Sequence, residues 1–204
     1  LGRTDEARRL VSTLDAHRDE RMRADAAYLI GLTEEPRAVP WLRRALDREK
    51  SYRVRVHVYT ALCQLGDRAA TDALIAFTGV DTESRVVALQ SLAEIAPRSA
   101  EQVLLAQLRD RDAFLETRLL AARGLGAIGL REGYDLARRH LLDSYNDRQD
   151  TDKTFRIRSL SAHALGAIGD RRALPALRHL AQSDTDERVQ VAACYAILRI
   201  INRG

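Results

Sequence analysis

Apolar residues along the chain recur at alternating steps of three and one, and the run is itself repeated. Ile157, Leu160, Ser161, Ala164, Leu165 and Ile168 trace one face of an α-helix. Val54, His57, Val58, Ala61, Leu62 and Leu65 repeat that ladder, and Leu120, Ala121, Gly124, Leu125 and Ile128 give it again. Turn signals follow: Leu65-Gly66-Asp67, Ala96-Pro97, Ile128-Gly129-Leu130 and Ile168-Gly169-Asp170. A second, shorter apolar helix comes next, marked by Leu42 and Leu46, Leu74 and Phe77, Leu104 and Leu108, Leu136 and Leu141, and Leu177 and Leu180. Each copy therefore predicts helix–turn–helix with helices of unequal length. A period of about thirty residues predicts stacking into an all-α superhelix, an α-solenoid of about six repeats. Their bounds are 17–48, 49–79, 80–110, 111–150 and 151–182, with partial repeats at 1–16 and 183–204.

The polar positions carry the same period. Arg23, Arg55, Arg85, Arg118, Arg158 and Arg188 stand at gaps of 32, 30, 33, 40 and 30. Four residues before each come Asp19, Ser51, Asp81, Phe114, Thr154 and Asp184, of which all but Phe114 are good helix N-caps. Eight residues after each comes a column of small residues: Gly31, Cys63, Ala93, Gly126, Gly166 and Ala196. Glycine within a helix costs about 1 kcal/mol relative to alanine, so close approach of a neighbouring helix is the expected reason. The arginines sit near helix starts, where the macrodipole disfavours a cation. Their side chains lean back towards the loop between repeats. The expectation is a ladder of arginine-to-loop hydrogen bonds joining neighbouring repeats; the alternative is a basic stripe for phosphate.

The segments at 158–184 and 55–77 resemble HEAT-like repeats of the phycobilisome-lyase type. The shared pattern is an arginine, alanine-rich turns, Ala-Leu-Gly with Ile-Gly-Asp, and a Pro-x-Leu second helix. The likeness extends over nearly the whole chain and is strongest in the second, fourth and fifth repeats. Pro97 and Leu130 depart from it where Asp67 and Asp170 stand elsewhere, as does Glu35 in the first repeat. The resemblance implies the fold; repeats of this type serve lyases, scaffolds and regulators alike.

Composition adds little that points to chemistry. Net charge is +4 with 33 basic and 29 acidic residues, and the two signs are interspersed. The basic residues are almost all arginine, with Lys50 and Lys153 the only lysines, a skew that GC-rich coding alone could produce. A bacterial source is expected, and the cytoplasm is the favoured compartment. No apolar run is long enough to span a bilayer. Residues 1–204 read as a single repeat domain, and both ends look cut, so a longer chain with further repeats or domains is expected. Cys63 and Cys194 fall in small-residue packing columns and read as buried substitutes. His57 reads as core or boundary, His163 as solvent-facing, and Trp41 as a packing anchor. No histidine has a catalytic partner at repeated spacing. Catalytic residues, metal ligands and cofactors are expected to be none, and an enzyme is disfavoured but left open.

Second helices usually line the concave face of such solenoids. Arg43, Arg138 and Arg178 are equivalent there, followed by Arg44, Arg139 and His179, while Ile75 and Leu105 hold the same column in the second and third repeats. One reading is a protein-binding groove with an apolar centre and a charged rim. The other is a one-residue slip that makes Ile75 and Leu105 ordinary core. A polar stretch at 143–153, containing Tyr145, is expected to loop out as a second recognition element. The leading functional reading is a non-catalytic scaffold for a protein partner or for other domains of its own chain. The alternatives are nucleic-acid binding through concave arginines and a chromophore lyase or isomerase subunit.

Overall fold

The apolar ladders form twelve α-helices among the described residues of the computed structural model, which are 2–146 and 151–203, with side chains described for 2–142 and 154–203. The chain is an all-α solenoid of HEAT-like repeats, packed as two compact halves, Leu1–Ile95 and Ala96–Gly204. The N-terminal half contains α1 (Arg3–Ala16), α2 (Glu20–Leu32), α3 (Val39–Arg48), α4 (Tyr52–Gln64), α5 (Arg68–Ala76) and α6 (Thr82–Ile95). Within it α2 packs on α4 and α4 on α6, so the longer first helices form one layer. The C-terminal half contains α7 (Glu101–Arg109), α8 (Leu115–Ala127), α9 (Tyr134–Asn146), α10 (Thr151–Ile168), α11 (Leu174–Ser183) and α12 (Glu187–Asn202). Here α8 packs on α10 and α10 on α12.

Each second helix buries at least one leucine fully: Leu42, Leu74, Leu104, Leu141 and Leu177 are all at 0% exposure. Burial on this scale is worth about 1.5–3 kcal/mol per side chain. The small-residue column lies where first helices touch. A Cβ on Gly166 would meet the Ala196 Cα at 2.7 Å, and one on Gly31 would meet the Ala61 Cα at 2.9 Å. The first helices α2, α4, α6, α8 and α10 then end on a left-handed residue, namely Glu34 (φ 52°), Gly66 (87°), Ala96 (52°), Gly129 (94°) and Gly169 (78°). At Gly66 and Gly129 the following amide returns to a carbonyl five residues back, Asp67 N to Leu62 O and Leu130 N to Leu125 O, both at 2.9 Å. Glu35 takes over the role of the aspartate in its repeat: its carboxylate accepts from the Arg37 amide and from the Thr4 hydroxyl.

Three sequence expectations are corrected. Thr154 is not an N-cap, because α10 starts at Thr151 with no glycine or proline to stop it. Asp184 caps the end of α11, and the N-cap of α12 is Asp186, two residues later. The polar stretch 143–153 does not all loop out: α9 runs to Asn146 and α10 begins at Thr151, leaving 147–150 and the Tyr145 side chain outside the described residues.

Candidate functional site

The recurring arginines reach back across the turn to the end of the preceding second helix. Arg55 Nη1 donates to the carbonyls of Leu46 (3.1 Å) and Glu49 (3.2 Å). Arg118 Nε donates to Leu108 O at 3.1 Å and Arg85 Nε to Thr78 O at 2.7 Å. A cation disfavoured at its own helix start is thereby placed on the carbonyl end of another helix or turn, where the dipole favours it. Arg23 and Arg158 also reach forward by 26 residues to a carboxylate at the next helix end. Arg23 binds Glu49 at 2.8 and 3.2 Å, and Arg158 binds Asp184 at 2.8 and 3.1 Å. The Arg23 bond and the neighbouring amides hold the Glu49 carboxyl below the usual range, against the opposing effect of burial.

Arg188 departs from this pattern. The two-residue shift of its N-cap turns it onto Asp186 of its own helix start, at 2.6 Å, with the guanidinium 3.6 Å from the Phe155 ring centroid. Its side chain stays mostly exposed, and it meets the preceding repeat through the Phe155 ring of α10.

The residues expected to meet a partner fall in both halves. In the N-terminal half, Arg43 and Arg44 are exposed on α3, and Ile75 is half-buried on α5 beside the fully buried Leu74. Arg43 Nη2 donates to Asp67 Oδ2 at 2.7 Å, and Asp67 caps α5, which ties α3 to the next turn. In the C-terminal half, Leu105 is half-buried on α7, and Arg138, Arg139 and Arg178 are exposed on α9 and α11. Arg138 and Arg139 border a shallow cavity of about 370 Å³ with Asp135 and Leu142.

The sequence reading missed a cleft of about 560 Å³ over α8, α10 and α12. Arg123 from α8 and Ser159 and His163 from α10 meet Arg188, Val191 and Tyr195 from α12 there. His163 is not solvent-facing: it is half-buried, with the Tyr195 ring edge-on at 5.8 Å. Its column lies five residues after each arginine and faces the next first helix. Tyr28 accordingly meets His57 (6.4 Å between rings), and Thr60 donates to Ser91 at 2.8 Å. The signal available in the sequence was that Arg123 and His163 share this column, two bulky polar residues in adjacent repeats.

Burial, then the Arg123 and Arg199 guanidiniums, lower the His163 pKa from 6.5 to about 4. The unfolded chain therefore takes up this proton first. The contribution of His163 is complete above pH 6.5 and is lost as pH falls towards 4. His163→Gln should remove about 1 kcal/mol of the acid-side loss between neutral pH and about pH 5, allowing for solvent at the cleft mouth. Urea midpoints at the two pH values check this; an equal drop in wild type and variant would show that His163 is not the group responsible.

The other candidate side chains are structural. His57 is half-buried and its pKa is lowered mainly by burial. Trp41 packs into the N-terminal core under the Arg8 guanidinium, 5.8 Å from the ring centroid. Cys63 is half-buried beside the Thr71 hydroxyl at 3.5 Å, and burial raises its thiol pKa. Cys194 is exposed rather than buried. Among the described residues no group of three or more His, Cys, Asp or Glu is placed to hold a metal ion. None of the helices described is long and apolar enough to cross a membrane.

Comparison with known proteins agrees with this architecture. A family model for HEAT repeats matches residues 7–86 and 149–198. No curated protein matches the chain by sequence. Among solved structures, the complex of CpcE and CpcF of phycocyanin lyase from Nostoc sp. PCC7120 is similar in fold. The match covers 96% of this chain and 92% of that one, at 22% identity and a TM-score of 0.60. Human deoxyhypusine hydroxylase in complex with glycerol aligns over 98% of this chain and 97% of that one, at 16% identity and a TM-score of 0.36.

Proposed function

The chain belongs to the HEAT-repeat family, and on that premise we propose that it is a non-catalytic scaffold for a protein partner. The observation that carries this reading is the division of labour on the second helices. Each buries at least one leucine fully, while Arg44 on α3, Arg138 and Arg139 on α9 and Arg178 on α11 are left exposed. Rim arginines of this kind steer and orient a partner more than they add affinity. Arg43 belongs to a different class, because its bond to Asp67 joins α3 to the α5 cap. Ile75 and Leu105, half-buried beside those leucines, would supply apolar contact in their own halves. The chain similar in fold comes from a solved complex of two proteins, CpcE and CpcF, which supports a protein partner.

The test compares wild type with Arg44→Glu and Arg178→Glu in affinity capture from the source lysate at low and high salt. A specific protein should be retained by wild type, and retention should fall about tenfold in the variants and with added salt. Retention unaffected by either charge reversal or by salt would overturn the reading. Saturable binding of duplex DNA with a steep salt slope would favour nucleic acid instead.

A further inference from the structure

The cleft over α8, α10 and α12 holds polar groups that the packing leaves unused. Arg123 is half-buried, and its Nε is fully buried with no hydrogen-bond partner among the described residues. The hydroxyl of Ser159, on the facing helix α10, is likewise buried and unpartnered. A buried donor without a partner is costly, so such groups are retained where something else completes them. In the same column Tyr28, Thr60 and His163 each meet a side chain on the next first helix, whereas Gln90 is exposed and the Arg123 Nε has no partner among the described residues. The charges acting on His163 are the Arg123 guanidinium from α8 and the Arg199 guanidinium from α12. Arg188, at the same cleft, is already paired with Asp186. The opposite wall is apolar: Val191 is 69% exposed and Tyr195 49% exposed, and both line the cleft.

We propose that this cleft binds an organic oxyanion, a carboxylate or phosphate carried on an apolar or aromatic body. The oxyanion accepts from the Arg123 guanidinium, whose planar fork suits either group, and from the Ser159 hydroxyl. The body lies against Val191 and Tyr195. Arg188 adds positive potential at the mouth. This site stands apart from the second-helix arginines and does not depend on the scaffold reading.

The experiment is an NMR titration of the whole chain with three probes: phenylacetate, phenyl phosphate and the neutral phenylacetamide. His163 is assigned by comparison with His163→Gln. One or both anions should give saturable shifts at His163 and raise its pKa, because the bound charge offsets the Arg123 field. The stronger of the two identifies carboxylate or phosphate as the preferred group. Phenylacetamide should bind at least about tenfold more weakly than phenylacetate, since it lacks the charge that strengthens the Arg123 bond. Arg123→Gln should lose about tenfold or more in affinity for the anions, with Arg123→Lys in between because it keeps the charge without the fork. The proposal is overturned if the amide binds as well as the acid, if Arg123→Gln binds unchanged, or if neither anion gives a saturable shift at millimolar concentration. The comparison of acid with amide uses wild-type protein, so it decides the matter even where a variant folds poorly.

Discussion

Asp184→Ala should lower the stability of the chain by about 3–5 kcal/mol, the range for removing one partner of a buried ion pair. Asp184 and Arg158 are 0% and 8% exposed, and the guanidinium fork meets both carboxylate oxygens. Asp184 also accepts from the Asp186 amide at 2.9 Å, so its loss loosens the start of α12. What remains is a guanidinium held in the interior by its helix with its main counter-charge gone. The related pair Arg23–Glu49, at 18% and 9% exposure, should cost less when broken. The mostly exposed Arg188–Asp186 pair should cost about 0–1 kcal/mol. Urea unfolding of the three single variants checks the order. Arg158→Met combined with Asp184→Leu should recover much of the loss, because both charges then leave together. A loss for Asp184→Ala no larger than that for Asp186→Ala would refute the assignment of Arg158–Asp184 as the main inter-repeat tie of the C-terminal half.

Gly126→Ala is the second large effect. A Cβ there would lie 2.6 Å from the Ile168 amide nitrogen and 2.8 Å from the Ala167 carbonyl carbon. Both obstacles are backbone atoms of α10, so no side-chain rotamer can relieve them. Alanine ordinarily stabilises a helix interior by about 1 kcal/mol over glycine. Here overpacking should win, with a net loss of about 1–3 kcal/mol as α8 and α10 are forced apart. Cys63→Ala, in the same column, should be nearly neutral because it adds no atom beyond the existing Cβ. Thermal melting of both variants decides the point; a Gly126→Ala protein as stable as wild type would mean that the two helices can separate freely.

The helices and their repeat were legible because they follow from periodicity within single segments. So was the reason for glycine in the small-residue column, since only a close neighbour justifies its cost. The expected inequality of length fails in the fourth repeat, where α8 and α9 are both 13 residues long. The N-caps failed where a local rule met an equal competitor. Asp184 and Asp186 are both good caps, and the choice between them is made by Arg158 arriving from α10. That choice also decides that Arg188 binds within its own helix start. His163 was misjudged because a helix in a stack has neighbours on two flanks, which leaves less solvent-facing surface than an amphipathic pattern suggests. The cleft was not legible at all: Arg123, Ser159 and Tyr195 come from three helices and meet only once α10 is seated between the other two.

The stacking of helical pairs, the place where each pair turns and the small residues that face a neighbour all follow from the order of residues alone. Those properties depend on spacing within about thirty residues, and a periodic chain states its spacing many times over. The tertiary structure alone decided which carboxylate each arginine meets and which polar groups are left without a partner. These depend on the rotation and approach of whole helices, where a two-residue change in a cap turns a guanidinium onto the carboxylate of its own helix start.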